Sequence, residues 1–228
     1  TVNDAMRDLL LPNAGKKPVS VVMNLPDDRM FSPDQPKNGR DPNDGRFILL
    51  YTGTVSKTYG LSMVIEAVAS LKEKIPGLYL KIAGEGDDLP SLRKLAEELG
   101  VQDMVEFLGI VPFKQIPPLI AQCDVGVSTL KLDLLTDLCF NNKTAEYSAV
   151  GLPAVVTRTR TVEQHFPEGI VRFFEPGSAE SFTEAVMELY SNPELREQMS
   201  RRGIEFGKQS NWSTEKRKYI GLIESLSN

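Results

Sequence analysis

The 228 residues suffice for one large domain, or for one domain with appended elements. With 41% hydrophobic and 25% charged residues, a disordered chain is excluded and a full-sized core is available. Twenty-six basic against 31 acidic side chains give a net charge of −5, which excludes a general attraction to nucleic acid or anionic lipid.

The basic runs Arg201-Arg202 and Lys216-Arg217-Lys218 fall on helical stretches beside acids and read as solvated helix faces. Cys123 and Cys139 form no C-x-x-C pair, and the single His165 cannot complete a zinc set with them, so no metal site is expected. A reduced, cytoplasmic setting fits two unpaired thiols. No apolar stretch approaches membrane-spanning length and no signal peptide is evident. The chain begins at Thr1, in what reads as the middle of a segment, and an excised domain or processed product is expected.

Residues 1 to 16 are predicted to form a helix with a weak apolar face of Ala5, Leu9 and Leu10, ended by Asn13-Ala14-Gly15. Val19 to Met23 reads as a short strand. Residues 24 to 45, with four prolines and no periodicity, read as linker or surface loop. From Phe47 the pattern is regular. Phe47 to Tyr51 is a continuous apolar run, the mark of a strand buried on both faces. A helix follows over Leu61 to Ile75, stopped by Pro76-Gly77. Leu78 to Ala83 is the next strand, ending at Gly84-Glu85-Gly86, and residues 89 to 99 form an amphipathic helix closed by Gly100. The alternation continues with a strand at Val105–Leu108, a helix at Lys114–Gln122 and a strand at Val125–Ser128. Next come a helix at Asn142–Val150, a strand at Ala154–Val156, a helical turn at Val162–His165 and a strand at Ile170–Phe174. Helices near 178–190, 193–208 and 212–226 complete the chain. Such alternation specifies a Rossmann-like α/β fold: a parallel sheet of about six strands with helices on both faces. Ligands of open parallel sheets lie outside the carboxyl ends of the strands, so the loops after Tyr51, Ala83, Leu108, Ser128 and Val156 are the places to look.

The richest segment runs from Leu138 to Pro153. Asn141 or Asn142 is suited to cap the helix that follows. Free N–H groups of its first turn, at the positive end of the helix dipole, then face the loop. Lys143 opposes that dipole but suits an anion such as a diphosphate. Glu146, one turn on along the same face, is placed to accept hydrogen bonds from vicinal ribose hydroxyls. The residues alone leave a second reading open, a surface Lys–Glu pair on an ordinary helix.

Asn142-Lys143-x-x-Glu146-Tyr147-x-x-x-Gly151-x-Pro153 before a β-branched strand resembles the donor-site motif of retaining glycosyltransferases of family 4, of GT-B architecture. Tyr51-Thr52-Gly53-Thr54 with Tyr59-Gly60 resembles that family's first strand and phosphate loop. Leu80 to Gly86 resembles its second strand and glycine turn, Val105 to Pro112 the segment flanking the base, and Asp124 to Ser128 the strand before the sugar loop. The likeness runs from residue 18 to 226 and covers the second, nucleotide-sugar-binding half of a two-domain enzyme.

The resemblance therefore implies a threefold division of the chain. Residues 1–45 are the tail of a missing N-terminal, acceptor-binding domain and a crossover. Residues 46–210 are the nucleotide-sugar-binding domain. Residues 211–228 are a helix that packs back on the missing half, leaving Trp212, Tyr219 and Ile220 unusually exposed. It implies transfer of a hexosyl group from a nucleotide-diphosphate sugar with retention, no cofactor or metal, an isolated domain inactive alone, and membrane contact only through the missing half. Glu146 would hold the ribose, and Asn141, Asn142, Lys143 and Thr144 the diphosphate and sugar. Gly53, Thr54 and Lys57 would line the first phosphate loop and Gly84 and Gly86 the second, with Val111 at the base.

Three departures stand out. Leu138 occupies the position of the first acid of the family's E-x7-E pattern, with Asp137 adjacent. The usual Arg and Lys of the first phosphate loop are Thr54 and Tyr59 here. Lys57 is either a substitute or a solvated lysine. A non-catalytic module binding nucleotide sugars or sugar phosphates is thus an alternative, and sugar-nucleotide 2-epimerases share the architecture. An NAD-dependent oxidoreductase fits less, since Gly84-Glu85-Gly86 follows the second βα unit and Leu89 stands where the third glycine belongs. Asp133 and Asp137 are further polar groups that either reach a sugar or stay in water, and His165 either touches the sugar or is structural in its helical turn. The base, sugar and acceptor are not specified by these residues.

Overall fold

A computed structural model describes residues 1–36 and 44–227. Six strands, β1 (Phe47–Thr52), β2 (Leu78–Ala83), β3 (Val105–Gly109), β4 (Val125–Ser128), β5 (Ala154–Thr157) and β6 (Val171–Phe174), form one parallel sheet in the order β3-β2-β1-β4-β5-β6. The expected fold is thus the observed one. Helices α1 (Asp4–Ala14), α2 (Leu61–Leu71), α3 (Leu89–Glu98), α4 (Ile116–Ala121), α5 (Asn142–Val150), α6 (Arg160–His165), α7 (Ala179–Ser191), α8 (Pro193–Gln209) and α9 (Trp212–Ser227) supply its covering layers and flanks.

The apolar run of β1 is explained by its central place. Phe47, Leu49 and Tyr51 join one core with Val64, Ile65 and Leu71 of α2 and Phe182 and Val186 of α7. Ile48 and Leu50 point the other way, into a second core with Ile120, Tyr147 and Val156.

Helix α5, which carries Asn142, Lys143 and Glu146, is seated by small residues. A Cβ on Gly126 of β4 would lie 2.4 Å from Cδ2 of Tyr147, so the phenol ring rests on bare backbone. On the other side, Gly203 and Gly207 of α8 sit one turn apart, and a Cβ on Gly207 would lie 2.9 Å from Cα of Ala149. Two glycines at that spacing let α8 close on α5 at backbone distance.

Several expectations need correcting. Val19–Met23 belongs to no strand. Its backbone bonds go elsewhere: Val22 N–H donates to the Thr1 carbonyl, and Met23 N–H to the carboxylate of Glu215 on α9. In α1 only Ala5 is buried, while Leu9 and Leu10 stand 62% and 48% exposed, so of the expected apolar face only its first residue packs. The supposed linker is not featureless: Leu25 and Phe31 are buried, and Phe31 packs edge-on against Phe113. Residues 37–43 of that stretch lie outside the described residues. At the far end Tyr219 and Ile220 are exposed, whereas Trp212 is half buried and its N–H donates to the Pro26 carbonyl. Among the described residues no helix is long and apolar enough to cross a membrane.

Candidate functional site

The chain leaves β1 toward β2 on one side and β4 toward β5 on the other, so a crevice opens beyond their adjacent carboxyl ends. A cleft of about 550 Å³ occupies it. Thr52, Gly53 and Thr54 form its floor, with Tyr59 beside them; Ala83, Gly84 and Glu85 follow from β2. Ile110, Val111, Phe113 and Ile116 make an apolar wall after β3, and Phe140 to Lys143 with Glu146 close the far side.

The floor is held by backbone. Gly53 N–H donates to the Ala83 carbonyl and Val55 N–H to that of Glu85, both at 2.9 Å, extending the β1–β2 ladder past the strands. A Cβ on Gly84 would lie 1.8 Å from the Gly53 carbonyl oxygen, and one on Gly86 2.0 Å from that of Val55. Both glycines are therefore needed for loop-to-loop contact. Gly84 also reaches the cleft; Gly86 does not line it.

Asn141 occupies the N-cap position of α5 without capping it through its side chain, which corrects the expected role. Its amide is used elsewhere: Nδ2 donates to Ser128 Oγ at 2.6 Å, and Oδ1 accepts from Lys143 Nζ at 3.0 Å. Thr144 Oγ1 also donates to Ser128 Oγ, at 2.8 Å, so Thr144 lies beneath the cleft as a fastener to β4. Among the described hydrogen bonds none takes up the Asn142 or Lys143 N–H, and both remain available at the dipole's positive end.

Lys143 is 8% exposed, which rules out a surface Lys–Glu pair. Its ammonium lies 5.0 Å from the ring centre of Tyr51 and 4.5 Å from that of Tyr59. Burial lowers its pKa to about 8, against the opposing pull of Glu146. A Cβ on Gly53 would lie 3.3 Å from Lys143 Cε, so the bare backbone there makes room for the lysine. The Glu146 carboxyl is raised above its ordinary range by burial, a shift that Lys143 partly offsets. It faces the cleft and, with Phe113 and Asn142, borders an adjoining hollow that also contains Asn24, Phe31 and Trp212.

The remaining residues stand apart. Lys57 is exposed and does not line the cleft. Asp133 caps its own loop, accepting from Leu135 N–H and Thr136 N–H. Asp137 turns to α6, its Oδ1 accepting from Arg160 N–H at 2.8 Å. His165 pairs Nδ1 with the Thr161 carbonyl and packs on Phe140. Tyr59, Glu85 and Ile110 fall within segments that carry the resemblance but are not singled out there as site residues, and Phe113, Ile116 and Phe140 do not stand out from the sequence at all. An aromatic beside the first glycine loop and exposed apolar residues in Gly109 to Phe113 are the available signals. Among the described residues no group of three or more His, Cys, Asp or Glu is arranged to hold a metal ion.

Residues 34–206 match the family described as glycosyl transferases group 1. The chain is 32% identical over 179 residues to the putative glycosyltransferase EpsD of Bacillus subtilis (strain 168), covering 77% of this chain and 45% of EpsD. It spans less than half the length of the curated relatives it matches first. The structure of Anabaena HepE in complex with UDP superposes with a TM-score of 0.80 at 17% identity, over 98% of this chain and 63% of that one. The C-terminal domain of a glycosyl transferase group 1 family protein (LpcC) from Francisella tularensis does so at 0.66 and 19%, over 80% of this chain and 96% of that one.

Proposed function

The chain belongs to the glycosyl transferases group 1 family, and from that premise we propose that it is the donor-binding half of a retaining family 4 enzyme that transfers a hexosyl group. Residues 46–210 are the nucleotide-sugar domain in this reading; residues 1–45 and 211–228 connect it to an acceptor-binding half outside this chain. One convergence carries it. The open first turn of α5, the buried Lys143 and the Glu146 carboxylate meet at the end of β1, in the crevice where open parallel sheets bind ligands.

The chemistry follows from those groups. The bond between the anomeric carbon and the diphosphate oxygen breaks, and an acceptor hydroxyl forms its bond on the same face, its proton passing to the departing diphosphate. Negative charge growing on that leaving group meets the Asn142 and Lys143 N–H groups and the Lys143 ammonium, fixed before the reaction begins. Glu146 accepts from the ribose hydroxyls, and the base packs on Val111 and its apolar neighbours. Metal-independent turnover and a cytoplasmic setting belong to the same proposal. EDTA is expected to leave the complete enzyme active, and loss of turnover would overturn the metal-independent mechanism.

UDP is the first nucleotide to try, given HepE with UDP among the similar folds. A thermal-shift series with UDP-, GDP-, ADP- and TDP-sugars tests the reading, because a bound donor raises the melting temperature by mass action. One donor should stabilise the chain, and Glu146→Ala should remove the effect. No shift with any of them at millimolar concentration sinks it.

A second reading, binding without turnover, is favoured by one observation. Leu138 replaces an acid, and Asp137 beside it is committed to the Arg160 N–H. Donor hydrolysis and transfer by the complete protein, unmodified and with Glu146→Ala, separate the two.

A further inference from the structure

We propose that Tyr59 is a positioning residue for the cation of the cleft: with Tyr51 it forms an aromatic cage that aims the Lys143 ammonium at a bound diphosphate. This rests on the nucleotide-sugar reading above.

The two rings stand at 61° to one another with centres 6.1 Å apart, and both lie within cation–π reach of Lys143 Nζ. Tyr51 is fully buried, and its hydroxyl donates to the Thr54 carbonyl at 2.6 Å, so that wall cannot swing. Tyr59 is half buried at the cleft, and its backbone is pinned from the loop after β4. Thr129 Oγ1 donates to the Tyr59 carbonyl, and Lys131 N–H to that of Thr58. On the third side Asn141 Oδ1 accepts from the ammonium. A lysine side chain left free rotates through many orientations, and each must be surrendered when an anion binds. Here the surrender is made in advance. The faces of two rings attract the charge without neutralising it. Glu146 exerts its coulombic pull as well, and the ammonium stands over the open floor, where a Cβ on Gly53 would lie 3.8 Å from it.

The test uses the 228-residue chain and inorganic pyrophosphate, a probe that carries neither base nor sugar. In the unmodified chain the Lys143 ε-protons should be displaced upfield by the rings and show cross-relaxation to the Tyr59 ring protons. Tyr59→Phe should keep both signatures and bind pyrophosphate within about twofold. Tyr59→Leu should lose the upfield displacement and bind about tenfold more weakly. Solvent-like ε-proton shifts in the unmodified chain overturn the cage, whatever the folding of the variants. Unchanged affinity in a folded Tyr59→Leu chain overturns the positioning role alone. If the unmodified chain binds no pyrophosphate while its Lys143 signals show the cage, the nucleotide-sugar reading fails and the proposal falls with it.

Discussion

The phenolic oxygen of Tyr147 accepts the Thr52 N–H at 2.9 Å, a buried hydrogen bond between the middle of α5 and the last residue of β1. Its own proton goes to the Leu50 carbonyl at 3.2 Å, so one hydroxyl serves two backbone groups of the strand. Tyr147→Phe keeps the ring over Gly126 but leaves the Thr52 N–H unsatisfied in a dry place. That costs about 1–3 kcal/mol. Urea unfolding should show a lower midpoint at unchanged slope, and an unaltered midpoint would mean water enters to replace the hydroxyl.

Gly84 and Gly100 make a controlled comparison. A Cβ at Gly84 drives into the Gly53 carbonyl at 1.8 Å, whereas Gly100, with φ +63°, has open space around it. Gly100→Ala should cost about 1 kcal/mol of left-handed backbone strain. Gly84→Ala must push a pair of hydrogen-bonded loops apart and should cost several times more, with loss of the cleft floor. Paired denaturation curves decide it; equal costs would show that the loops separate easily.

Burial of Lys143 gives a pH signature in stability. Its folded pKa of about 8 lies below the ordinary value of 10.5, so between these values the unfolded chain holds more protons and stability from this group rises with pH. Below about pH 8 both states are protonated and the full cost of burying the charge is present. Lys143→Met should therefore stabilise the chain at pH 7 by an amount on the order of 3 kcal/mol. That advantage should shrink from about pH 8 to pH 10.5. Urea melts of both chains across this range test the sign, and a difference independent of pH would refute it.

Donor affinity should follow the same lysine in the opposite sense. The diphosphate of the donor carries constant charge over this range, and an ADP-sugar has no base that ionises in it. Binding of such a donor should therefore be flat below about pH 8 and weaken up to about tenfold per unit above it. With a uracil, guanine or thymine base the series must stop before the base loses its ring proton. Calorimetric titration at several pH values measures this, with Lys143→Met as the pH-independent, weaker reference.

If Glu146 holds ribose hydroxyls, Glu146→Gln should weaken donor binding roughly ten- to hundredfold, the scale of hydrogen bonds to a charged acceptor. A 2′,3′-dideoxy donor should bind the unmodified chain about as weakly and be indifferent to the substitution. Additive losses from the two changes would place the ribose elsewhere.

The sheet was legible because β1 and β4 are buried on both faces, which calls for unbroken runs of apolar or small residues. Strand β2 alternates instead, with Tyr79 and Lys81 half buried on one face. Tertiary context defeated local pattern at Val19–Met23. The β-branched run joins no sheet: the Met23 donor is taken by Glu215, 192 residues away, rather than by a neighbouring strand. Phe31 was hidden in a proline-rich loop because its burial depends on Phe113, which periodicity cannot bring to it. At the site, the spacing from Asn141 to Glu146 located the helix, and Asn141, Asn142, Lys143 and Glu146 do line the cleft. It said nothing of Tyr59, which reaches Lys143 through a turn tied to another loop. Nor did it say that Asn141 would serve Ser128 and Lys143 instead of capping.

Gly203 and Gly207 lie far along the chain from the cleft, yet they determine how its far wall responds to change. With α8 seated at backbone distance on α5, and Tyr147 bolted to β1, that wall has no slack through which to tilt. On the proposed reading, a ligand of different shape would be met from the opposite side, where Ile110 and Phe113 stand exposed. The cleft would then have one fixed jaw, for what such ligands share, and one replaceable jaw that chooses among them.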